Sequence, residues 1–326
     1  MEERKQRERR WLFPLLLVLF NGIAAIGFGV FLFTDRDLSA AQTENARLIG
    51  ACYMTMNNPY YEMVNDETLA VVEENGDILI TRNPALDADK QMEQIRELID
   101  MGVSAIFVTP VDWMAICSVL EEAREKGILV IAVDAGVYEE ELANCTVVSD
   151  NYMAGVLCAR HLMENADSAR IVLLEHSTAE SSLDRMAGFE DTLEGDYQIV
   201  ARGECDGQLE VAMPVMEEII ASGVAFDTVF ALNDPSAMGC MAAMEDAGIL
   251  EGVRVYGVDG APEAKAMIRE GMMTATSAQF PSEVGRIAVE NMYRLLEGEE
   301  CEASVFVPVS LITQGNVEEF GVDRWQ

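Results

Sequence analysis

Residues 253–260 read Val253-Arg254-Val255-Tyr256-Gly257-Val258-Asp259-Gly260, a mostly apolar run that stops on a carboxylate. A strand buried on both faces of a parallel sheet reads as such a near-continuous run. Open parallel sheets bind ligands just beyond the carboxyl ends of their strands. Asp259 therefore occupies a position from which a ligand is normally held.

Seven other runs stop in the same way. Leu48 to Met54 leads into Asn57-Asn58-Pro59-Tyr60-Tyr61, Ile106 to Val108 into Thr109-Pro110-Val111-Asp112, and Leu129 to Val133 into Asp134. Thr146 to Val148 leads into Ser149-Asp150-Asn151, Ile171 to Leu174 into Glu175-His176-Ser177, Val229 to Leu232 into Asn233-Asp234, and Thr274 to Ala278 into Gln279. Helical spacing fills the intervals: Lys90 to Met101 puts Met92, Ile95, Leu98 and Ile99 on one face, and Val119 to Lys126 stops at Gly127. This alternation predicts an α/β fold of doubly wound parallel sheets with right-handed crossovers.

The 326 residues carry 57 Asp and Glu against 22 Lys and Arg, a formal charge of −35. Nucleic acid is a poor partner for such a chain, because phosphates reward Lys and Arg and repel carboxylates. The N-terminus is the exception to the acidity. Arg4, Lys5, Arg7, Arg9 and Arg10 precede Trp11 to Phe33, which holds no charge and is long enough to cross a bilayer as a helix. Basic residues before it, with Asp35 and Asp37 after it, predict a cytoplasmic segment 1–10, a transmembrane anchor 11–33, a tether 34–45 and an exported body. A cleaved signal peptide is the competing reading, with Ser39-Ala40-Ala41 suited to a peptidase. In that case the body is secreted.

Seven cysteines without a CxxC pair read as free buried thiols. Leu48 to Cys52 has the look of a lipoprotein acylation box, but it lies inside the first predicted strand.

Taken in order, Asn57-Asn58-Pro59-Tyr60-Tyr61, Pro110-Val111-Asp112, Val133-Asp134, Ser149-Asp150-Asn151, Asp184-Arg185 with Gly188-Phe189, Asn233-Asp234 with Ala237-Met238-Gly239, Gly257-Val258-Asp259-Gly260 and Ala278-Gln279 resemble the periplasmic sugar-binding proteins of the ribose and galactose type. The resemblance runs from about Ala46 to Val317. It implies the type I periplasmic binding protein architecture: two α/β lobes joined by a three-strand hinge that closes on a ligand in the cleft. Carried onto this chain, lobe one is 46–149 plus 280–310 and lobe two is 150–279 plus 311–326. The implied ligand contacts are Asn58, Tyr60, Tyr61, Thr109, Asp134, Ser149, Arg185, Cys205, Asn233, Asp259 and Gln279. The implied partners are a sugar and the permease of an ABC importer, or alternatively a sensor kinase or chemoreceptor. No cofactor or metal is implied.

The residue types suit a sugar, whose hydroxyls both donate and accept and whose ring has apolar faces. Asp134 and Asp259 accept, Asn58, Asn233 and Gln279 do both, Arg185 offers a fixed fork of donors, and Tyr60 and Tyr61 offer ring faces. Plainer roles compete. Asn57-Asn58-Pro59 makes a good turn, Asp150 and Asp234 suit helix caps, and Arg185 has Asp184 and Glu180 nearby for a surface ion pair. Trp113 suits the rim of the cleft.

Three positions depart from the ribose-type pattern: Ala135 where an arginine usually follows the aspartate, Thr109 where asparagine often stands, and Cys205 in place of an aromatic. These point to a roomier, less basic cleft and away from ribose itself. An enzyme is the rival class. Only His161 and His176 are available, with no nucleophile at a motif spacing, no HExxH and no glycine-rich phosphate loop. A ligand-gated transcription factor of the same fold would need a DNA-binding segment ahead of the first strand, and none is apparent.

Overall fold

The computed structural model describes residues 46–326. The predicted anchor at 11–33 and its flanks lie outside the described residues. Among those that are described, no helix is long and apolar enough to cross a membrane.

Two six-stranded sheets form the body. The first contains β1 (Leu48–Cys52), β2 (Ile78–Arg82), β3 (Ala105–Val108), β4 (Leu129–Val133), β5 (Cys145–Ser149) and β11 (Ser304–Val307), in the order β11-β5-β4-β3-β1-β2. The second contains β6 (Ser168–Glu175), β7 (Asp196–Glu204), β8 (Thr228–Ala231), β9 (Arg254–Asp259), β10 (Ala275–Ala278) and β12 (Ser310–Thr313), in the order β12-β10-β9-β8-β6-β7. The first sheet is parallel throughout, and in the second only β12 runs antiparallel, against β10. Both sheets reverse strand order at equivalent places, between β1 and β3 and between β6 and β8. A ligand crevice opens at such switch points.

The helices are α1 (Pro59–Glu74), α2 (Ala88–Asp100), α3 (Cys117–Glu125), α4 (Asn151–Asn165), α5 (Glu180–Thr192), α6 (Leu209–Ala221), α7 (Asp234–Asp246), α8 (Pro262–Arg269), α9 (Pro281–Leu296) and the short α10 (Val317–Phe320). They cover both faces of each sheet, and the alternation along a strand shows it. Ile49, Ala51 and Phe107 point into a cluster shared with Val284, Ala288 and Met292 of α9. Cys52, Ile106 and Val108 point the other way, onto Ile95 and Leu98 of α2 and Leu120 of α3. The second lobe has one continuous core around Ile171, Leu173, Phe230 and Val255.

The chain passes between the sheets three times, between β5 and α4, between β10 and α9, and between β11 and β12. The last crossing falls between Val307 and Ser310. All seven cysteines are free, and all but Cys301 are buried.

Two local expectations are corrected. Asp234 is not the cap of α7; Asn233 is, its Oδ1 accepting from the Ser236 N–H at 3.0 Å. Asp234 is the first helical residue and turns inward, accepting from Thr276 Oγ1 at 2.7 Å and Ala261 N at 2.8 Å. Asp150 does cap α4, through Met153 N at 3.0 Å. Arg185 makes no surface ion pair: it is 4 % exposed.

Candidate functional site

A cavity of about 230 Å³ lies between the carboxyl ends of the two sheets. Asn58, Tyr60, Tyr61 and Asp134 line it from lobe one, and Arg185, Asn233, Asp259 and Gln279 line it from lobe two and the second crossing. Eight of the eleven sequence-predicted contacts are thus brought together. Thr109, Ser149 and Cys205 are buried behind this wall: Thr109 Oγ1 donates to Val133 O at 2.8 Å, and Cys205 Sγ lies 3.3 Å from Ser236 Oγ.

Each lining residue is set by its element. Asn58 and Asn233 spend Oδ1 on helix N-caps, of α1 and α7, so their carboxamide groups are fixed at the ends of β1 and β8. Arg185 is held from behind: Nε donates to Asn151 Oδ1 at 2.9 Å and Nη1 to Leu232 O at 2.8 Å. Its helix reaches this depth because α4 and α5 meet backbone to backbone. A Cβ on Gly155 would lie 2.1 Å from Arg185 O, and one on Gly188 would lie 2.0 Å from Tyr152 O. Only glycine fits either place.

The two lining carboxylates are unusual in their backbone as well. Asp134 has φ 68° and Asp259 φ 130°, values that non-glycine residues seldom adopt and that cluster at functional sites. Both are 3 % exposed. Asp134 Oδ2 accepts from Tyr61 Oη at 2.8 Å, and Asp259 Oδ1 from Gln279 Nε2 at 2.7 Å with Arg185 Nη1 at 4.0 Å. Burial outweighs these partners. It pushes the Asp259 carboxyl up to about 7 and raises Asp134 above the ordinary carboxylate range, although Arg185 opposes both. Tyr60 and Tyr61 are likewise raised, first by burial and then by Asp134.

Among the described residues, seven buried side-chain atoms have no partner, and four of them belong to residues that line this cavity: Tyr60 Oη, Asp134 Oδ1, Asp259 Oδ2 and Gln279 Oε1. Buried polar atoms are nearly always paired in folded proteins, so this concentration marks where a ligand belongs. Tyr60 and Tyr61 meet edge to face at 5.3 Å, and Tyr60 also meets Trp325 at 6.1 Å. The C-terminal side chain Gln326 donates to the carbonyls of Asp259, at 2.8 Å, and Gln279, which ties the tail to the floor of the second crossing.

In front of the cavity the lobes touch. Gly136 N of lobe one donates to Glu180 Oε2 of α5 at 2.6 Å, Trp113 N donates to Thr178 O at 3.3 Å, and Thr178 Oγ1 to Val111 O at 3.4 Å. These are the contacts of a closed cleft. Thr178 and Glu180, together with the lining residues His176 and Asp206, were not among the sequence-predicted contacts. His176 stands in the polar stop that ends the run Ile171 to Leu174 without having been read as a contact, and Asp206 follows β7, which offers no apolar run to point to it.

Comparison with known proteins agrees with this geometry. A family model described as a periplasmic binding protein domain matches residues 49–300. The ribose import binding protein RbsB of Bacillus subtilis is 28 % identical over 268 residues, covering 82 % of this chain and 87 % of that protein. Among solved structures, an ABC transporter solute-binding protein of Mycobacterium smegmatis with bound glycerol is 26 % identical at a TM-score of 0.80, covering 85 % of this chain and 97 % of that one. The myo-inositol-binding protein of Caulobacter, bound to myo-inositol, is 26 % identical at a TM-score of 0.78, covering 83 % and 95 %. With two lobes wound alike, a polar cleft between their carboxyl ends and a family match over most of its length, the chain belongs to the periplasmic binding proteins.

Proposed function

We propose that the cleft binds a small hydroxyl-rich molecule, a monosaccharide or a related polyol, and that the lobes close over it. The observation that carries this reading is the set of four unpartnered buried polar atoms around one cavity between the lobes. A ligand that pairs them removes a desolvation cost of roughly 1–3 kcal/mol for each atom. It must touch both lobes to do so, and therefore binds the closed arrangement better than the open one. That relatives bind ribose, glycerol and myo-inositol supports the ligand class. No catalytic step is assigned to the site. Asn58, Tyr60, Tyr61, Asp134, Arg185, Asn233, Asp259 and Gln279 are its proposed contacts.

The body faces the extracytoplasmic side and hands its ligand to the permease of an ABC importer. A second reading, a membrane-tethered sensor subunit, is favoured by one feature: the uncharged span Trp11 to Phe33 behind a basic N-terminus, which suits an uncleaved anchor. A tether raises the concentration of a receptor near its membrane partner in either role.

Thermal-shift screening of purified protein against sugars and polyols, followed by calorimetry with the hits, tests the proposal. Asp134→Ala and Asp259→Ala are each expected to lower affinity at least tenfold. Full binding by both variants overturns the site, and reconstitution with a permease without ligand-stimulated uptake moves the role to sensing.

A further inference from the structure

Charge is unbalanced at the cavity wall. Two carboxylates that are 3 % exposed, Asp134 and Asp259, face it, against one cation, Arg185. That guanidinium is already committed through Nε to Asn151 and through Nη1 to the Leu232 carbonyl, and its nearest approach to Asp259 is 4.0 Å. Among the described residues, no lysine lines the cavity; the other titratable lining groups are Tyr60, Tyr61, His176, Asp206 and Glu210. Position 135, beside Asp134, holds a buried alanine and supplies no second positive charge. Asp234, behind the wall, has its own donors in Thr276 and Ala261 and is raised by burial and by the neighbouring charge of Asp259.

The unpartnered atoms have the same bias. Asp134 Oδ1, Asp259 Oδ2 and Gln279 Oε1 accept when the carboxyls are ionised, while Tyr60 Oη can do either. A hydroxyl-rich ligand pairs these oxygens but supplies no charge to balance the second carboxylate when both are ionised. A buried charge without a counter-charge is costly, and a charge-assisted hydrogen bond is about twice as strong as a neutral one. Burial raises both carboxyls despite Arg185, so in the ligand-free cleft a proton relieves part of this charge, and a ligand ammonium would take that proton's place.

We infer that the cleft takes a cationic ligand, an amino sugar or aminopolyol, whose ammonium group is held by the unpaired oxygens of Asp134 and Asp259. The inference rests on the proposed polar-ligand site and names its ligand's charge. Sugar acids are excluded by the same carboxylates.

The test uses full-length protein, stripped of ligand by unfolding and refolding, and a matched panel at pH 7. Glucosamine is paired with glucose, galactosamine with galactose, mannosamine with mannose and aminodeoxy-inositol with myo-inositol; glucuronate and galacturonate are added. The tightest binder in calorimetry is expected to be a cation, at least tenfold tighter than its hydroxyl counterpart. Asp259→Asn or Asp134→Asn is expected to bring that ratio below about threefold, with circular dichroism melts confirming that the variants fold. A tightest binder that is neutral or anionic overturns the charge assignment and leaves the polar-ligand site standing. A ratio unchanged in both variants overturns the assignment as well. Failure of every member to bind overturns the polar-ligand site and, with it, this inference.

Discussion

Gly136 on lobe one and Glu180 on lobe two share a 2.6 Å hydrogen bond from backbone N–H to carboxylate, on the side where the cleft closes. A Cβ at Gly136 would lie 2.3 Å from Glu180 Oε2, the far end of a flexible side chain. The carboxylate can swing away at little cost to the fold of either lobe, but the closing contact is then lost. Gly136→Ala and Glu180→Ala are therefore expected to weaken ligand binding by about three- to tenfold, the scale of one charge-assisted hydrogen bond, while melting temperatures of the ligand-free protein stay within about 2 °C. Small-angle scattering at equal ligand saturation should show a larger fraction of open molecules, and an unchanged compaction would remove the contact from the closing step.

Asp259 makes ligand-free stability depend on pH in a defined direction. Its carboxyl titrates near 7 in the folded chain and near 3.8 when exposed. Below the lower value both states are protonated and the folded state keeps its full advantage. As pH rises through the window, the unfolded chain releases its proton first, and stability falls until about pH 7. Asp259→Asn should therefore match the parent near pH 4 and exceed it above pH 7, by on the order of 4 kcal/mol. Urea titrations of ligand-free protein across this range check it; parallel curves for the two proteins would contradict it.

The predicted and observed strands diverge in an instructive way. The eight runs that end on polar stops became β1, β3, β4, β5, β6, β8, β9 and β10, the interior strands of the two sheets. The four strands that the sequence did not announce, β2, β7, β11 and β12, are the four sheet edges. An edge strand is covered on fewer sides, so its residues alternate: β7 carries Asp196, Gln198, Arg202 and Glu204 among its apolar positions, and most of it is partly exposed. Site residues at strand ends were legible for the same reason that interior strands were. Asp234 misled because an aspartate after an asparagine caps a helix as readily as it fills a buried slot; only Thr276, 42 residues away, settles which.

Tyr61 Oη donates to Asp134 Oδ2 at 2.8 Å, and the Tyr60 hydroxyl adds a weaker interaction with the same carboxylate. Tyr61→Phe would take from this buried carboxylate its best hydrogen bond. We expect a loss of about 1–3 kcal/mol in stability at pH 8, and a loss that shrinks as pH falls, because burial raises the Asp134 carboxyl and a proton on it relieves the charge. Denaturation at pH 8 and at a series of lower values measures the difference, and an equal loss throughout would mean that the hydroxyl only fills space.

Gly188→Ala should act through Arg185. The new methyl meets the Tyr152 carbonyl at 2.0 Å, backbone against α5, so the helices must separate. Overpacking of this kind costs about 1–3 kcal/mol or more, and it carries the guanidinium away from the cavity wall. Loss of ligand affinity in a variant that still melts cooperatively is the expected result; parental affinity would show that α5 can shift without moving the arginine.

The positive φ values at Asp134 and Asp259 also bear on how this cleft can change. Glycine, asparagine and aspartate tolerate such a backbone, and β-branched residues do not. Variation at these two positions is thus screened by the chain's own folding before any ligand has a say, and a saturation library there would return a short alphabet whatever it is selected to bind. New specificities must enter through neighbours on ordinary backbone, such as Ala135 and Cys205. The recognition chemistry is locked at two points and adjustable around them.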